Sequence, residues 1–329
     1  MERYLFWTSA VLTVLLLASV CRIMVLGKRY KNIKRAFDLS VREEEEARQR
    51  EKIYAAMLPA RLLGLFRRED ADDFLTGEGK NIRSAVLSFN IDGFSRMTRS
   101  RTAEEVFRFV NEVLEQAVPQ VLFHEGTVER FADAGFRAFY LQSPERALDS
   151  AVSICEAMDR AEHIEENYSI GLSFGDVMAG MVGHRERMGM LTISETTGIA
   201  EFLQELAGRY RSRILISGSM RKQIPDFEKN YNSRYLGCIY LKAADLTEDV
   251  YDVYDGDPPE DKNGKRRTRL VFEKGVELFL ERRFSDARLH FIEVLKANRM
   301  DGAAKEYLYL CGRYEAGTEK DAPVYLEIY

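Results

Sequence analysis

The side chains in this sequence that could hold a soft metal ion or form a covalent bond are few and scattered. The four cysteines, Cys21, Cys155, Cys238 and Cys311, include no C-x-x-C pair, and the four histidines, His124, His163, His184 and His290, lie equally far apart. A zinc site needs clustered ligands, so neither zinc nor a disulfide framework is expected. The remaining chemistry sits in two glycine-containing turns. Asn90-Ile-Asp-Gly93 follows an apolar run, and Arg130-Phe-Ala-Asp-Ala-Gly135 joins two further runs. Carboxylates such as Asp92 and Asp133 are the ligand type a hard divalent cation prefers. Arg130 is a donor suited to an anionic ligand. Against these stand plainer readings: two solvated turn carboxylates and a surface strand arginine.

Those turns must be held by a scaffold, and the pattern along residues 83–256 supplies one. Residues 85–89 read as a strand, and residues 102–121 repeat apolar side chains at helical spacing. Residues 127–131 and 136–141 flank Asp133-Ala-Gly135 as a hairpin. A helix follows over 144–161, with Ser143 placed to cap it and Pro144 at its first position. Strands are predicted at 168–174, 176–182, 190–194, 213–217, 235–241 and 250–254, and helices at 196–207 and 218–223. This alternation, with tight hairpins, predicts an α+β domain in which helices cover a mixed or antiparallel sheet.

The chain has 329 residues and a hydrophobic fraction of 46%, enough for more than one unit. Its formal net charge of -5 leaves no electrostatic footprint for nucleic acid. Residues 4–21 carry no charge, and after Arg22 the run Ile23-Met-Val-Leu26 continues to a length that spans hydrocarbon as a helix. Lys28, Arg29, Lys31, Lys34 and Arg35 follow it, against Glu2 and Arg3 before it. That bias predicts a single-pass anchor over 1–27 in the cell membrane, with the bulk of the chain cytoplasmic. In a cleaved signal peptide the basic residues would precede the run. Residues 28–82 are expected to form a helical stalk and connector, whose loose heptad spacing suits either a dimeric stalk or a solvated helix. Residues 257–268, with Pro258, Pro259 and mixed charges, read as a linker. In the tail, 269–329, Gly275, Ala287 and Phe291 stand at spacings typical of a tetratricopeptide hairpin. One such repeat cannot bury its own face, so it is expected to pack on the preceding domain or on a protein partner.

Three separated motifs carry a resemblance: Phe89-Asn-Ile-Asp-Gly-Phe94, Val128-Glu-Arg-Phe131 with Gly135-Phe136, and Ile170-Gly-Leu-Ser-Phe-Gly175 through Gly180-Met-Val-Gly183. Together with Arg213-Ile-Leu-Ile-Ser217 and Val250-Tyr-Asp-Val-Tyr254, they resemble the class III adenylate/guanylate cyclase domain. The resemblance implies a ferredoxin-type sheet covered by helices over 83–256, and a site formed between two chains. In that family two carboxylates hold two magnesium ions. Here the first position is Asn90 and the second Ala134. The pattern Y-[TD]-V-I-G-D-T-V-N-L-A-S-R-L corresponds to Met190-Leu-Thr-Ile-Ser-Glu-Thr-Thr-Gly-Ile-Ala-Glu-Phe-Leu203. The base-selecting residue is thus Leu191, the ribose-orienting one Gly198, and the transition-state arginine Phe202. Arg130 stands at the base-contacting lysine.

With both sets depleted, the resemblance implies a catalytically inactive, membrane-anchored homologue that signals by association as a homo- or heterodimer, with no metal or other cofactor. Apolar Leu191 and Phe202 in a formerly polar cleft would favour a packed interface. Two alternatives stand beside it. One is a divergent cyclase whose magnesium or manganese is held by Asp92 and Asp133. The other is a non-catalytic nucleotide binder using Arg130.

Overall fold

The computed structural model describes residues 79–132, 134–161, 164, 167–184, 187–241 and 245–317, with Arg22, Lys31, Lys34, Phe37, Val41, Arg42, Glu45 and Arg48. The chain divides into two compact units, Met1–Ala60 and Arg61–Tyr329. In the first, the described residues are helical and, apart from half-buried Val41, exposed. The expected anchor over 1–27 lies outside the described residues except for Arg22. Among the described residues no helix is long and apolar enough to cross a membrane.

The second unit is built on one sheet. Its strands are β1 (Gly79–Ile91), β2 (Thr127–Ala132), β3 (Gly135–Leu141), β4 (Tyr168–His184), β5 (Arg187–Ile193), β6 (Ile214–Ser217), β7 (Ser233–Leu241) and β8 (Leu246–Val253). Their order is β2-β3-β1-β4-β6-β8-β7, with β5 paired to β4 as a projecting arm. Only β4 and β6 are parallel. The two strands expected at 168–174 and 176–182 are one, because β4 pairs antiparallel with the whole of β1, from Ile91↔Tyr168 to Gly79↔Gly180.

The helices are α1 (Phe94–Ser100), α2 (Ala103–Phe123), α3 (Pro144–Arg160), α4 (Glu195–Tyr210), α5 (Gly218–Arg221), α6 (Phe227–Asn230), α7 (Pro259–Leu280), α8 (Phe284–Ala297) and α9 (Gly302–Glu315). At the start of α2, Thr102 and Glu105 form a capping box. The Thr102 hydroxyl accepts from Glu105 N–H, and the Glu105 carboxylate accepts from Thr102 N–H at 2.8 Å. Ser143 does not cap α3; its hydroxyl donates to the Leu141 carbonyl instead. Pro144 does stand at the start of that helix.

Strand alternation separates two cores. Ala85, Leu87, Phe89 and Ile91 of β1 pack with Phe109 and Val113 of α2 and Leu148 and Ile154 of α3. On the opposite face α4 lies across the sheet. Gly171 permits this, since a Cβ there would stand 2.1 Å from the Ala200 carbonyl oxygen. The outer side of α4 then joins Leu236 of β7 and Phe272, Phe279, Phe291 and Tyr307 of the tail in a second core.

The segment 257–268, expected as a linker, is helical from Pro259 onward and forms the first turns of α7. Pro258 and Pro259 mark a helix start here, where the missing N–H costs nothing. Lys265 and Thr268 face inward and are buried, so the mixed charges are not a solvated spacer. Among the described residues the tail forms three helices continuous with the sheet unit. It packs on the preceding domain, as a single hairpin must. Along the edge strand β7, Tyr235 N–H donates to the Glu273 carboxylate of α7 at 3.0 Å, satisfying a group that an open edge would expose.

Candidate functional site

The register of the sheet brings the two turns together. Asn90 pairs with Gly135, and Ile91 N–H donates to the Ala134 carbonyl at 3.3 Å. The approach is close: a Cβ on Gly135 would lie 2.0 Å from the Phe89 carbonyl oxygen, so only glycine allows the β2–β3 turn to seat against β1. Asn90 and Ala134 are therefore neighbours. Neither supplies an anionic oxygen. The Asn90 side-chain oxygen accepts from Ile91 N–H at 3.1 Å, and Ala134 is fully buried.

Asp92 turns toward α4. Ser169 Oγ donates to its Oδ1 at 2.7 Å, and Gln204 Nε2 donates to Ser169 Oγ at 2.8 Å. Burial pushes the Asp92 carboxyl above the ordinary carboxylate range, with the Ser169 hydrogen bond opposing it. This carboxylate ties the end of β1 to α4. Asp133, its proposed companion, lies outside the described residues. Among the described residues no group of three or more histidine, cysteine, aspartate or glutamate side chains is placed to hold a metal ion.

The raised Asp92 value has a testable sign. A carboxyl whose folded pKa exceeds its unfolded one stabilises most when protonated, and that contribution is lost as the pH rises through the folded value. Asp92→Asn keeps an acceptor for Ser169 and removes the desolvated charge. The variant is expected to unfold at higher denaturant concentration than the native chain at pH 7, with the gap closing toward pH 3. Equal midpoints at both pH values would show that the charge is not desolvated.

A cluster that sequence reasoning missed lies on the α4 face of β2 and β3. The buried Arg137 guanidinium donates to Glu129 at 2.9 Å, to Glu201 at 2.7 Å and to Thr192 Oγ1 at 3.0 Å. Thr192 Oγ1 donates in turn to the second Glu129 oxygen at 3.2 Å. Thr192 and Glu201 stand where the family pattern has valine and serine. Arg130 joins from the rim, 3.2 Å from the same Glu201 oxygen. Two cations and two carboxylates thus compensate one another, and Arg130, the candidate nucleotide contact of the alternative reading, is paired. The signal was present in β3, Gly-Phe-Arg-Ala-Phe-Tyr-Leu: an arginine inside an otherwise apolar strand requires buried partners.

The other three family positions lie on the arm and on α4. Leu191 is exposed on the β4–β5 arm, on the same face as Met178, Val182 and Ile193. Gly198 is exposed on α4, with nothing near the place a Cβ would occupy. Phe202 is half-buried and packs against the second core, shared by α4 and the tail. Phe202 thus has part of its ring engaged within the chain and part at the surface, while Leu191 is exposed. The tail covers that side of α4, which sequence periodicity could not reveal.

No family model matches the chain. It is 19% identical over 253 residues to the terminal-differentiation-specific adenylate cyclase of Dictyostelium discoideum, covering 73% of this chain and 12% of that protein. It is 20% identical over 213 residues to an adenylate cyclase of Anabaena cylindrica, covering 61% and 42%. An uncharacterized protein of Mycobacterium tuberculosis is 36% identical over 149 residues, covering 44% and 26%. The chain thus spans less than half the length of each of these relatives. Among solved structures, a bacterial light-regulated adenylyl cyclase superposes with a TM-score of 0.57 at 19% identity, over 65% of this chain and 63% of that one. By these sequence matches and this shared fold, the sheet-and-helix unit is a cyclase-like α+β domain homologous to adenylate cyclases.

Proposed function

We propose that this chain is a catalytically inactive cyclase homologue that works by association. The carrying observation is the pairing of Asn90 with the Ala134–Gly135 turn, where two neighbouring positions meet without a carboxylate. Magnesium or manganese bound between carboxylates would neutralise a triphosphate and activate a hydroxyl. Asn90 and Ala134 do not fit that ion, and the Asp92 carboxylate is committed to Ser169. The compensated Arg130–Glu201 pair further weakens the case for a triphosphate contact. The test is incubation of the purified chain with manganese and ATP or GTP: no cyclic product is expected, and accumulation of one would favour the divergent cyclase using Asp92 and Asp133. Calorimetry with non-hydrolysable nucleotides separates out the remaining alternative; saturable heat would favour a nucleotide-binding regulator.

Association is expected through the arm. Met178, Val182, Leu191 and Ile193 are 43% to 64% exposed and share one face of a two-stranded projection, the kind of apolar surface that marks a protein contact. Leu191→Asp and Ile193→Asp are expected to weaken self-association at least about tenfold by sedimentation equilibrium, each buried apolar side chain contributing about 1.5–3 kcal/mol. An unchanged dimer constant would move the interface elsewhere. The apolar run over 4–26, followed by basic residues, supports a single-pass anchor with the domain on the cytoplasmic side. Membrane-fraction recovery that resists alkaline carbonate and yields to detergent tests it. A protein partner at the tail completes the proposal, with exposed Leu289 and half-buried Ile292 of α8 near Glu315 as the outer surface.

A further inference from the structure

At the opposite end of β1 from Asn90, a cavity of about 370 Å³ opens beside β1, β4, β8 and the short α5. Its lining includes two cations, Arg83 and Lys222, and two carboxylates, Glu248 and Asp249. Surface charges placed this close usually pair with one another. Here the Arg83 guanidinium instead stacks over the Phe174 ring, 5.0 Å from its centroid. Among the described residues neither Arg83 nor Lys222 forms an ion pair. The carboxylates are each engaged through one oxygen: Glu248 Oε1 accepts from Ser219 N–H at 2.7 Å, and Asp249 Oδ1 accepts from the Tyr235 hydroxyl at 3.2 Å. Burial and the nearby Asp249 charge raise the Glu248 carboxyl above the ordinary carboxylate range, and the Ser219 N–H and the Lys222 charge oppose them.

We propose that this cavity binds a small zwitterion of the α-amino acid type, its carboxylate received by Arg83 and Lys222 and its ammonium by Glu248. The charge balance selects that class. A simple anion drawn to the two cations would stand among two carboxylates, and a simple cation would meet Arg83 and Lys222. A ligand carrying both signs compensates both sets, each charge gaining a charge-assisted hydrogen bond. The Phe174 ring adds an apolar wall, and the volume lies at the small end of the range of ligand pockets. The site is separate from Asn90, Arg137 and the arm, and its occupancy does not depend on whether the chain turns over nucleotide.

Isothermal titration of the full-length chain with glycine, alanine, glutamate, lysine and phenylalanine, each up to about 10 mM, tests it. Saturable heat is expected for at least one of them. The N-acetyl and carboxamide derivatives of that amino acid are expected to bind at least about tenfold more weakly, as are the native ligand's complexes with Arg83→Gln, Lys222→Gln and Glu248→Gln. Arg83 and Lys222 are exposed, so their variants are expected to melt with the native chain. Three results would overturn the proposal: no heat from any of the five, equal binding of the N-acetyl derivative, or undiminished affinity in Arg83→Gln.

Discussion

Arg234→Ala is expected to destabilise the sheet-and-tail unit by about 3–5 kcal/mol, the cost of removing one partner from a buried ion pair. Arg234 is wholly buried on β7. Its guanidinium donates to Asp252 of β8 at 2.9 Å and to both Asp301 oxygens at 2.6 and 3.1 Å. Its cationic plane lies 4.0 Å from the centroid of Phe272 on α7. Lys265 of α7 bridges Asp252 at 3.0 Å and Asp257 at 2.7 Å. Asp301 also caps α9, accepting from Ala304 N–H at 3.0 Å.

Burial alone would raise the Asp301 carboxyl, but the Arg234 charge and hydrogen bonds outweigh it and hold the group below the ordinary range. Its contribution is therefore complete above the unfolded carboxylate value and is lost as the pH falls through the folded one. In Arg234→Ala, three carboxylates would face Lys265 alone. Urea unfolding at pH 7 measures the loss. The exposed Arg283, bonded to Asp286, provides the control: Arg283→Ala should leave the midpoint in place. Because sheet and tail share the second core, both should unfold in one transition. A tail that melts separately in the native chain would show that the network does not join them.

The second large effect concerns turnover. Asn90→Asp with Ala134→Asp is expected to remain without cyclic product, because two carboxylates alone do not replace the residues across the dimer. Loss of one preorganised charge donor costs about 10²–10³ in rate, and by the family resemblance Gly198 and Phe202 replace two such donors. Mixed with an active class III cyclase deprived of its own two carboxylates, the double variant is expected to yield product, and the native chain is not. The partner then supplies base, ribose and transition-state contacts, while this chain supplies the metal ligands. Since Ala134 is buried, the variant's melting with and without manganese must be read alongside the assay. Product from the native chain in that mixture would refute the inactive reading.

Much of this was legible in the residues. Hydrophobic periods of two and about 3.6 located the strands and long helices described in the sheet domain, with β4 read as two strands, and turn chemistry placed the β2–β3 hairpin, because those signals are local. The degeneracy at Asn90 and Ala134 was equally plain, since identity at a position needs no coordinates. What only folding decided is how residues far apart in the chain share one environment. Arg137 meets Thr192 and Glu201, 55 and 64 positions away, and Arg234 meets Asp301, 67 positions away. Phe202 packs beside the second core, and the segment read as a linker is the start of α7, with Gly264, Lys265 and Thr268 buried on its inner face. Charge and backbone pattern describe a residue's own preferences. Whether a charge is solvated, paired or idle depends on the neighbour that topology delivers, and that information resides in the packed chain.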